Sequence, residues 1–250
     1  MKTLTHGGLF EGIGGFSLGA HRVGIESLFA VEISKYKMNI LKQHFPKIKL
    51  YGDITTIQHL PYVDILTGGF PCQDISVSGS QTGLQGNRSG LWSEFQRIIK
   101  IVCPRYVIIE NSSNLLNKGL EYILYDLAAL GYDAEWKVLS ARQFGARHIR
   151  KRLFIIAYTP NTAQVRCPKR TFKLFKKLQE VFLERKVPGQ TDVSMLLERI
   201  KRYGNGSRLR RNDEFSKGLD KDRLEAIGDS VYPKIAEYLM RCIKMHYEKN

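Results

Sequence analysis

Cysteine is scarce in this chain: only Cys72, Cys103, Cys167 and Cys242 occur among 250 residues. None forms a CxxC pair or stands at a zinc-ligand spacing from a histidine, so neither a metal site nor a disulfide framework is expected. No apolar run approaches the roughly 20 residues of a membrane span, and the opening MKTLTHGGLF has no apolar signal-peptide core. A cytoplasmic protein with no membrane partner is the expectation. Acidic residues are also in deficit. The 24 Asp and Glu face 39 Lys and Arg, a net charge of +15, which suits a polyanionic partner.

The excess is uneven, because 17 basic residues against 8 acidic ones lie between Tyr158 and Arg223. A basic stretch alone is as well read as a solvated face. Beside a first half that carries a candidate site, a nucleic-acid surface is the better reading.

What the chain does have is alternation. Runs of strand-forming residues, TLTHGGLF, SLFAVE, VDILTGGF, RYVIIEN, AEWKVLS and RLFIIAY, are separated by SKYKMNILKQHF, LWSEFQRIIKIV and KGLEYILYDLAALG, whose apolar residues recur at helical spacing. That order predicts an α/β fold with a Rossmann-like, doubly wound, mostly parallel sheet. Beyond Tyr158 the rhythm gives way to basic amphipathic segments and the loop RYGNGSRLRRNDEFSKG. A final glycine turn and long helix follow, with Ile235, Leu239, Cys242 and Ile243 on one face to pack back on the sheet. The domains expected are a catalytic one over 1–157, a basic region over 158–222 and a returning segment over 223–250.

Three stretches carry chemistry. GGLFEGIGGFSLGA leads from a strand into a helix, where glycines permit close backbone approach and free N–H groups face an anion. Such a loop also serves plain strand-to-helix packing. Glu32 ends the next strand, where a carboxylate can take both ribose hydroxyls, and Asp53 in YGDI can accept from an adenine amino group, although acids at strand ends are common. Cys72, in GGFPCQDIS, follows the fourth strand between Pro71 and polar residues, at the sheet edge where open α/β sheets bind ligands. Its placement suits a nucleophile rather than a core residue. Glu110 ends the next strand at the same edge.

With these stretches in order, the chain resembles the DNA (cytosine-5)-methyltransferase family. The resemblance rests on LFEGIGGFSLGA, VEIS, YGDI, GGFPCQDIS, GLQGNRSGLW, IIENSSNLL, QFGARHIRKRLFII and AIGDSVYPKIAEYL, and covers nearly all of the chain outside Tyr158 to about Ser207. It implies an S-adenosylmethionine-dependent methyltransferase fold with a small target-recognition region. It implies S-adenosyl-L-methionine held by Phe10, Gly12, Gly14, Gly15, Phe16, Glu32, Asp53, Ile54, Pro71, Asp229 and Ser230. Cys72 would attack cytosine C6, Glu110 would protonate or hydrogen-bond N3 and hold the N4 amino group, Arg152 would hold O2, and Arg150 would steady the nucleophile loop or a phosphate. The cytosine would be flipped out of double-stranded DNA. Ser76 and Arg88 of the glycine- and serine-rich loop after Cys72, with Lys169, Arg170, Arg208, Arg210 and Arg211 of the basic region, are the expected DNA contacts. A short recognition site, a monomer and a cognate restriction endonuclease acting as a functional partner complete the expectation.

Four positions depart from the family pattern. Gly8 stands where Asp often begins the loop, Ser112 where Val is usual, His148 in place of Gln, and Asp229 in place of Asn. Asp229 brings a negative charge toward the cofactor carboxylate. Alternatives are a tRNA cytosine-5 methyltransferase, a DNA-binding remnant with impaired catalysis, and a nicotinamide-dependent dehydrogenase. The last leaves Cys72, Glu110 and the arginine strand unexplained.

Overall fold

The computed structural model describes residues 3–71, 90–117, 119–159, 226 and 228–248. All of these belong to one unit, formed by residues 1–166 and 225–250. A second unit, 167–224, lies outside the described residues, and most of the expected basic region falls there.

Seven strands form one sheet: β1 (Thr5–Leu9), β2 (Glu26–Val31), β3 (Lys49–Tyr51), β4 (Ile65–Gly69), β5 (Tyr106–Ser112), β6 (Asp133–Ser140) and β7 (Lys151–Tyr158). Their spatial order is β3-β2-β1-β4-β5-β7-β6. Every pairing is parallel except those of β7, which runs antiparallel to both β5 and β6. This is the doubly wound, mostly parallel sheet that the alternation predicts. The order reverses beside β1, so the crevice between the ends of β1 and β4 is the topological switch point where such sheets take ligands. Because β7 is antiparallel, its first residues arrive at the edge where the other strands end.

Helices α1 (Gly15–Arg22), α2 (Lys35–His44), α3 (Gly90–Val102), α4 (Leu120–Ala129) and α5 (Pro233–Tyr247) flank the sheet among the described residues. α3 is amphipathic, with Trp92, Phe95, Ile98, Ile99 and Val102 buried at helical spacing. They join Leu9, Phe29, Leu66, Val107, Ile109, Leu153 and Ile155 from the strands and Ile123 and Leu127 from α4 in one core. Burying a side chain such as Phe95 stabilises the fold by about 1.5–3 kcal/mol. The alternate strand residues Ala30, Ile65, Ile108 and Ile156 are buried too, so the central strands are covered on both faces. That double burial explains why they read as continuous apolar runs.

α5 begins with Pro233, whose missing N–H costs nothing in a first helical turn. Ile235, Leu239, Cys242 and Ile243 are buried as expected, with Ala236 and Met240. The helix reaches the sheet through Tyr106 Oη, 2.7 Å from His246 Nδ1, but it also crosses α1 closely. A Cβ on Gly19 would stand 2.6 Å from the backbone nitrogen of Glu237, so only glycine permits that approach. α5 thereby locks onto the helix that follows the glycine loop.

Candidate active site

At the switch point a cavity of about 490 Å³ opens. Its size is that of a small-ligand site. The walls come from the loop after β1 (Phe10, Gly12), the end of β2 (Val31, Glu32, Ile33), the turn after β3 (Gly52, Asp53, Ile54) and the end of β4 (Gly69, Phe70, Pro71). Glu110, Asn111 and Ser112 of β5, Arg150, Arg152 and Asp229 close it.

The glycine loop is held from below. Gly14 adopts φ 93°, a left-handed conformation that favours glycine, and is the N-cap of α1 without a side-chain cap of its own. Glu11 supplies one instead, accepting from the Ser17 N–H at 2.9 Å. Burial pushes the Glu11 carboxyl up to about 7, with Ser17 opposing the rise. Phe10 carries φ 51°, unusual for a residue with a side chain, and its ring stacks on Phe95 at 6.3 Å. Such backbone strain is tolerated where surrounding packing fixes it.

Glu32 is buried, and its two oxygens accept from the N–H groups of Gly12 and Ser34 at 2.8 and 2.9 Å. Both oxygens retain lone pairs, as a bidentate grip on a diol requires. Asp53 caps the short 3₁₀ helix Ile54–Thr56 and accepts from Thr55 N–H and Thr55 Oγ1, both on Oδ1. These bonds lower its pKa. Ile33, 71% exposed at the mouth, offers an apolar surface to a flat ring. Diol acceptors, a carboxylate for an amino group and apolar walls fit a nucleoside cofactor.

Glu110 lies at the other side of the cavity. Register places Ser112 opposite Arg152 across the β5–β7 pair, so Arg152 stands diagonally from Glu110 on one face. Arg152 Nε lies 3.0 Å from Glu110 Oε1, yet no donor is aligned on that oxygen; the contact is ionic rather than a directed hydrogen bond. Burial raises the Glu110 pKa, and Arg152 and then Arg150 oppose the rise. A carboxyl so placed can hold a proton and deliver it. Arg150 Nη1 donates to the Gly228 carbonyl, tying the start of β7 to the closing segment. His148 packs edge-to-face on Tyr232 at 6.1 Å. Asn111 donates to the Phe70 carbonyl at 3.0 Å and accepts from the Ser112 N–H, bracing the chain just before Pro71.

Of the expected site residues, Phe10, Gly12, Glu32, Asp53, Ile54, Pro71, Glu110, Arg150, Arg152 and Asp229 line this cavity. Gly14, Gly15, Phe16 and Ser230 do not. Gly14 packs against Phe45 and Leu41, Gly15 against Val231, Phe16 is buried, and Ser230 Oγ donates to the Val231 carbonyl. Cys72, Ser76, Arg88, Lys169, Arg170, Arg208, Arg210 and Arg211 lie outside the described residues. The sequence reading missed Arg97 and Lys37. Arg97 on α3 donates to the carbonyls of Ile57 and Ile54 at 2.6 and 2.8 Å, holding the turn that carries Asp53. Its only local signal is Glu94, an i,i+3 ion-pair partner. Nothing in sequence spacing marks Lys37. Among the described residues no group of His, Cys, Asp and Glu is arranged to hold a metal ion, and no helix is long and apolar enough to cross a membrane.

A family profile described as C-5 cytosine-specific DNA methylase matches residues 4–236. Type II methyltransferase M2.BsuMI of Bacillus subtilis is 34% identical over 157 residues, covering 60% of this chain and 40% of that protein. Type II methyltransferase M.NgoBV of Neisseria gonorrhoeae is 36% identical over 166 residues, covering 59% and 39%. The chain thus spans about two fifths of the length of these relatives. Among solved structures, a prophage-encoded DNA modification methyltransferase from E. coli superposes with TM-score 0.62 at 19% identity, covering 97% of this chain and 99% of that one. S. pombe Dnmt2 methyltransferase gives 0.62 at 16%, covering 96% and 97%. At these identities the structures support the fold alone.

Proposed function

The chain belongs to the C-5 cytosine-specific DNA methylase family, and from that premise we propose that it is a DNA (cytosine-5)-methyltransferase acting on a cytosine flipped out of duplex DNA. The observation that carries the reading is one cavity with two chemistries. Glu32 and Asp53 suit a nucleoside cofactor on one side, and the Glu110–Arg152 pair suits a cytosine ring on the other.

S-adenosyl-L-methionine, when bound, supplies an electrophilic methyl group. Glu32 would hold its ribose and Asp53 with Ile54 its adenine, while Phe10, Gly12, Pro71 and Asp229 complete the walls. Cytosine C5 is a weak nucleophile until electrons enter the ring. Cys72 supplies them by attack at C6. The charge that develops is met by Glu110, one carboxyl oxygen of which would protonate or hydrogen-bond N3 while the other accepts from N4. Arg152 holds O2, and Arg150 fixes the closing segment through Gly228. With the methyl group on C5 and the cofactor left as its thioether, loss of the C5 proton to water, expulsion of the Cys72 thiolate from C6 and return of the N3 proton to Glu110 would restore the ring as 5-methylcytosine.

DNA contacts are assigned to Ser76 and Arg88 of the loop after Cys72, and to Lys169, Arg170, Arg208, Arg210 and Arg211 within 158–222. Phosphate contacts there set affinity and a few side chains choose the sequence. The enzyme works as a cytoplasmic monomer, with a restriction endonuclease as its functional partner.

The test is bisulfite sequencing of DNA from a bacterium free of cytosine methylation that expresses this protein, beside one expressing Cys72→Ala. Protected cytosines in one short context, absent with the variant, are expected. Soluble protein that protects none, but methylates tRNA, would move the substrate to RNA.

A further inference from the structure

Asp229 presents a problem that Lys37 resolves. An acid on the wall of a cavity meant for an amino-acid-bearing cofactor repels the ligand's carboxylate. In the fold, however, Asp229 Oδ2 accepts from Lys37 Nζ at 2.8 Å. The pair joins α2 to the segment that precedes α5, and both residues line the cavity. The Lys37 side chain is only 11% exposed, against 58% for Asp229. An ammonium that deeply placed is costly without a countercharge, and Asp229 supplies one.

Among the described residues three cations line the cavity. Arg150 and Arg152 act on Glu110, and Asp229 acts on Arg150 as well; Lys37, in the first turn of the helix that follows Glu32, is the cation that bonds Asp229 directly. A plus and a minus in contact match a ligand end that also bears one of each. Resting on the cofactor reading above, we propose that Lys37 and Asp229 together receive the amino-acid end of the cofactor. Lys37 faces the α-carboxylate and Asp229 the α-ammonium. Lys37 is thus a cofactor-binding residue, and the acid at residue 229 works only in its company.

The experiment is isothermal calorimetry on the full chain with two ligands. S-adenosylhomocysteine carries the amino-acid end; 5′-methylthioadenosine has the same adenosine and thioether without it. Wild type, Lys37→Met, Asp229→Asn and the double variant are compared. Lys37→Met is expected to weaken S-adenosylhomocysteine about tenfold or more, because an unpaired Asp229 then meets the carboxylate, while 5′-methylthioadenosine changes less than about twofold. Asp229→Asn alone is expected to weaken S-adenosylhomocysteine by about threefold, less than Lys37→Met does, because the α-ammonium contact is lost while Lys37 still takes the carboxylate, and to change 5′-methylthioadenosine less than about twofold. Added to Lys37→Met, Asp229→Asn improves binding of S-adenosylhomocysteine, and this reversal is the signature of the pair. Equal weakening of both ligands by Lys37→Met, or a double variant weaker than Lys37→Met, overturns the proposal and leaves the cofactor reading standing. Wild-type protein that binds neither ligand overturns both.

Discussion

The carboxylate of Glu11 fills the space that a side chain on Gly8 would need: a Cβ at residue 8 would fall inside contact distance of Glu11 Oε2. Glu11 is buried and bonded to the N–H of Ser17, so it cannot swing aside without uncapping α1. Where the family pattern often begins the loop with an acid at residue 8, this chain brings one in from residue 11. Gly8→Ala is therefore expected to destabilise the protein by about 1–3 kcal/mol through overpacking. In the Gly8→Ala/Glu11→Ala double variant the two losses should sum to less than their separate values. Urea unfolding of the four proteins checks this.

Glu11 also links stability to pH. Its pKa is raised from 4.5 to about 7, so the folded state binds more protons than the unfolded state inside that window. The penalty is absent below pH 4.5, grows as pH rises, and is complete above about 7, on the order of 3 kcal/mol. His6, buried between Ser27 Oγ and Thr67 Oγ1, has its pKa lowered to about 3 by burial and acts with the opposite sign as pH falls below its ordinary value. The difference between variant and wild type isolates Glu11. Glu11→Gln should gain stability over wild type between pH 5 and pH 8, measured by urea unfolding at both.

Glu110→Gln keeps the shape and removes the transferable proton, so methyl transfer should fall about 10²–10⁴-fold. Arg152 opposes the upward shift of the Glu110 pKa. Arg152→Met therefore moves that pKa higher still, which ¹³C NMR titration of labelled glutamate carboxyls will read. A pKa that falls instead would show that Arg152 does not act on Glu110 by charge.

Arg97 holds the Asp53 turn by two carbonyl bonds. Hydrogen bonds to a charged group contribute about 1.5–3 kcal/mol, and Arg97→Met should lose affinity for adenosine-containing ligands while Arg97→Lys recovers part of it. Calorimetry with 5′-methylthioadenosine checks the order wild type, lysine, methionine.

Gly19→Ala places a methyl group against the backbone of Ala236 and Glu237. Backbone cannot yield as a side-chain tip can, so the variant should lose about 1–3 kcal/mol, or more if α5 detaches. Thermal unfolding beside the exposed control Gly131→Asn reads the loss. Gly131 has φ 83° and open space around its Cα, and asparagine tolerates that conformation.

Much of this protein was legible from local pattern. Double burial of β4, β5 and β7 writes itself as apolar runs, and amphipathic spacing marks α3, because both are periodicities along the chain. The glycine loop, Glu32, Asp53 and Glu110 follow from one rule, that ligands gather where parallel strands end. Tertiary structure alone decided the rest. That Arg152 meets Glu110 depends on β7 running antiparallel beside β5, a pairing that brings the start of one strand to the end of another. Lys37 and Asp229 stand 192 positions apart, and no period connects them. Asp229, an anomaly in sequence, is neutralised only in space. Glu11 shows the same limit: an acid one residue before a glycine reads as loop surface, and only folding reveals that it fills the room left by Gly8. Sequence reports which elements form and which edge they share; which charges meet across that edge is set by strand direction and helix crossing.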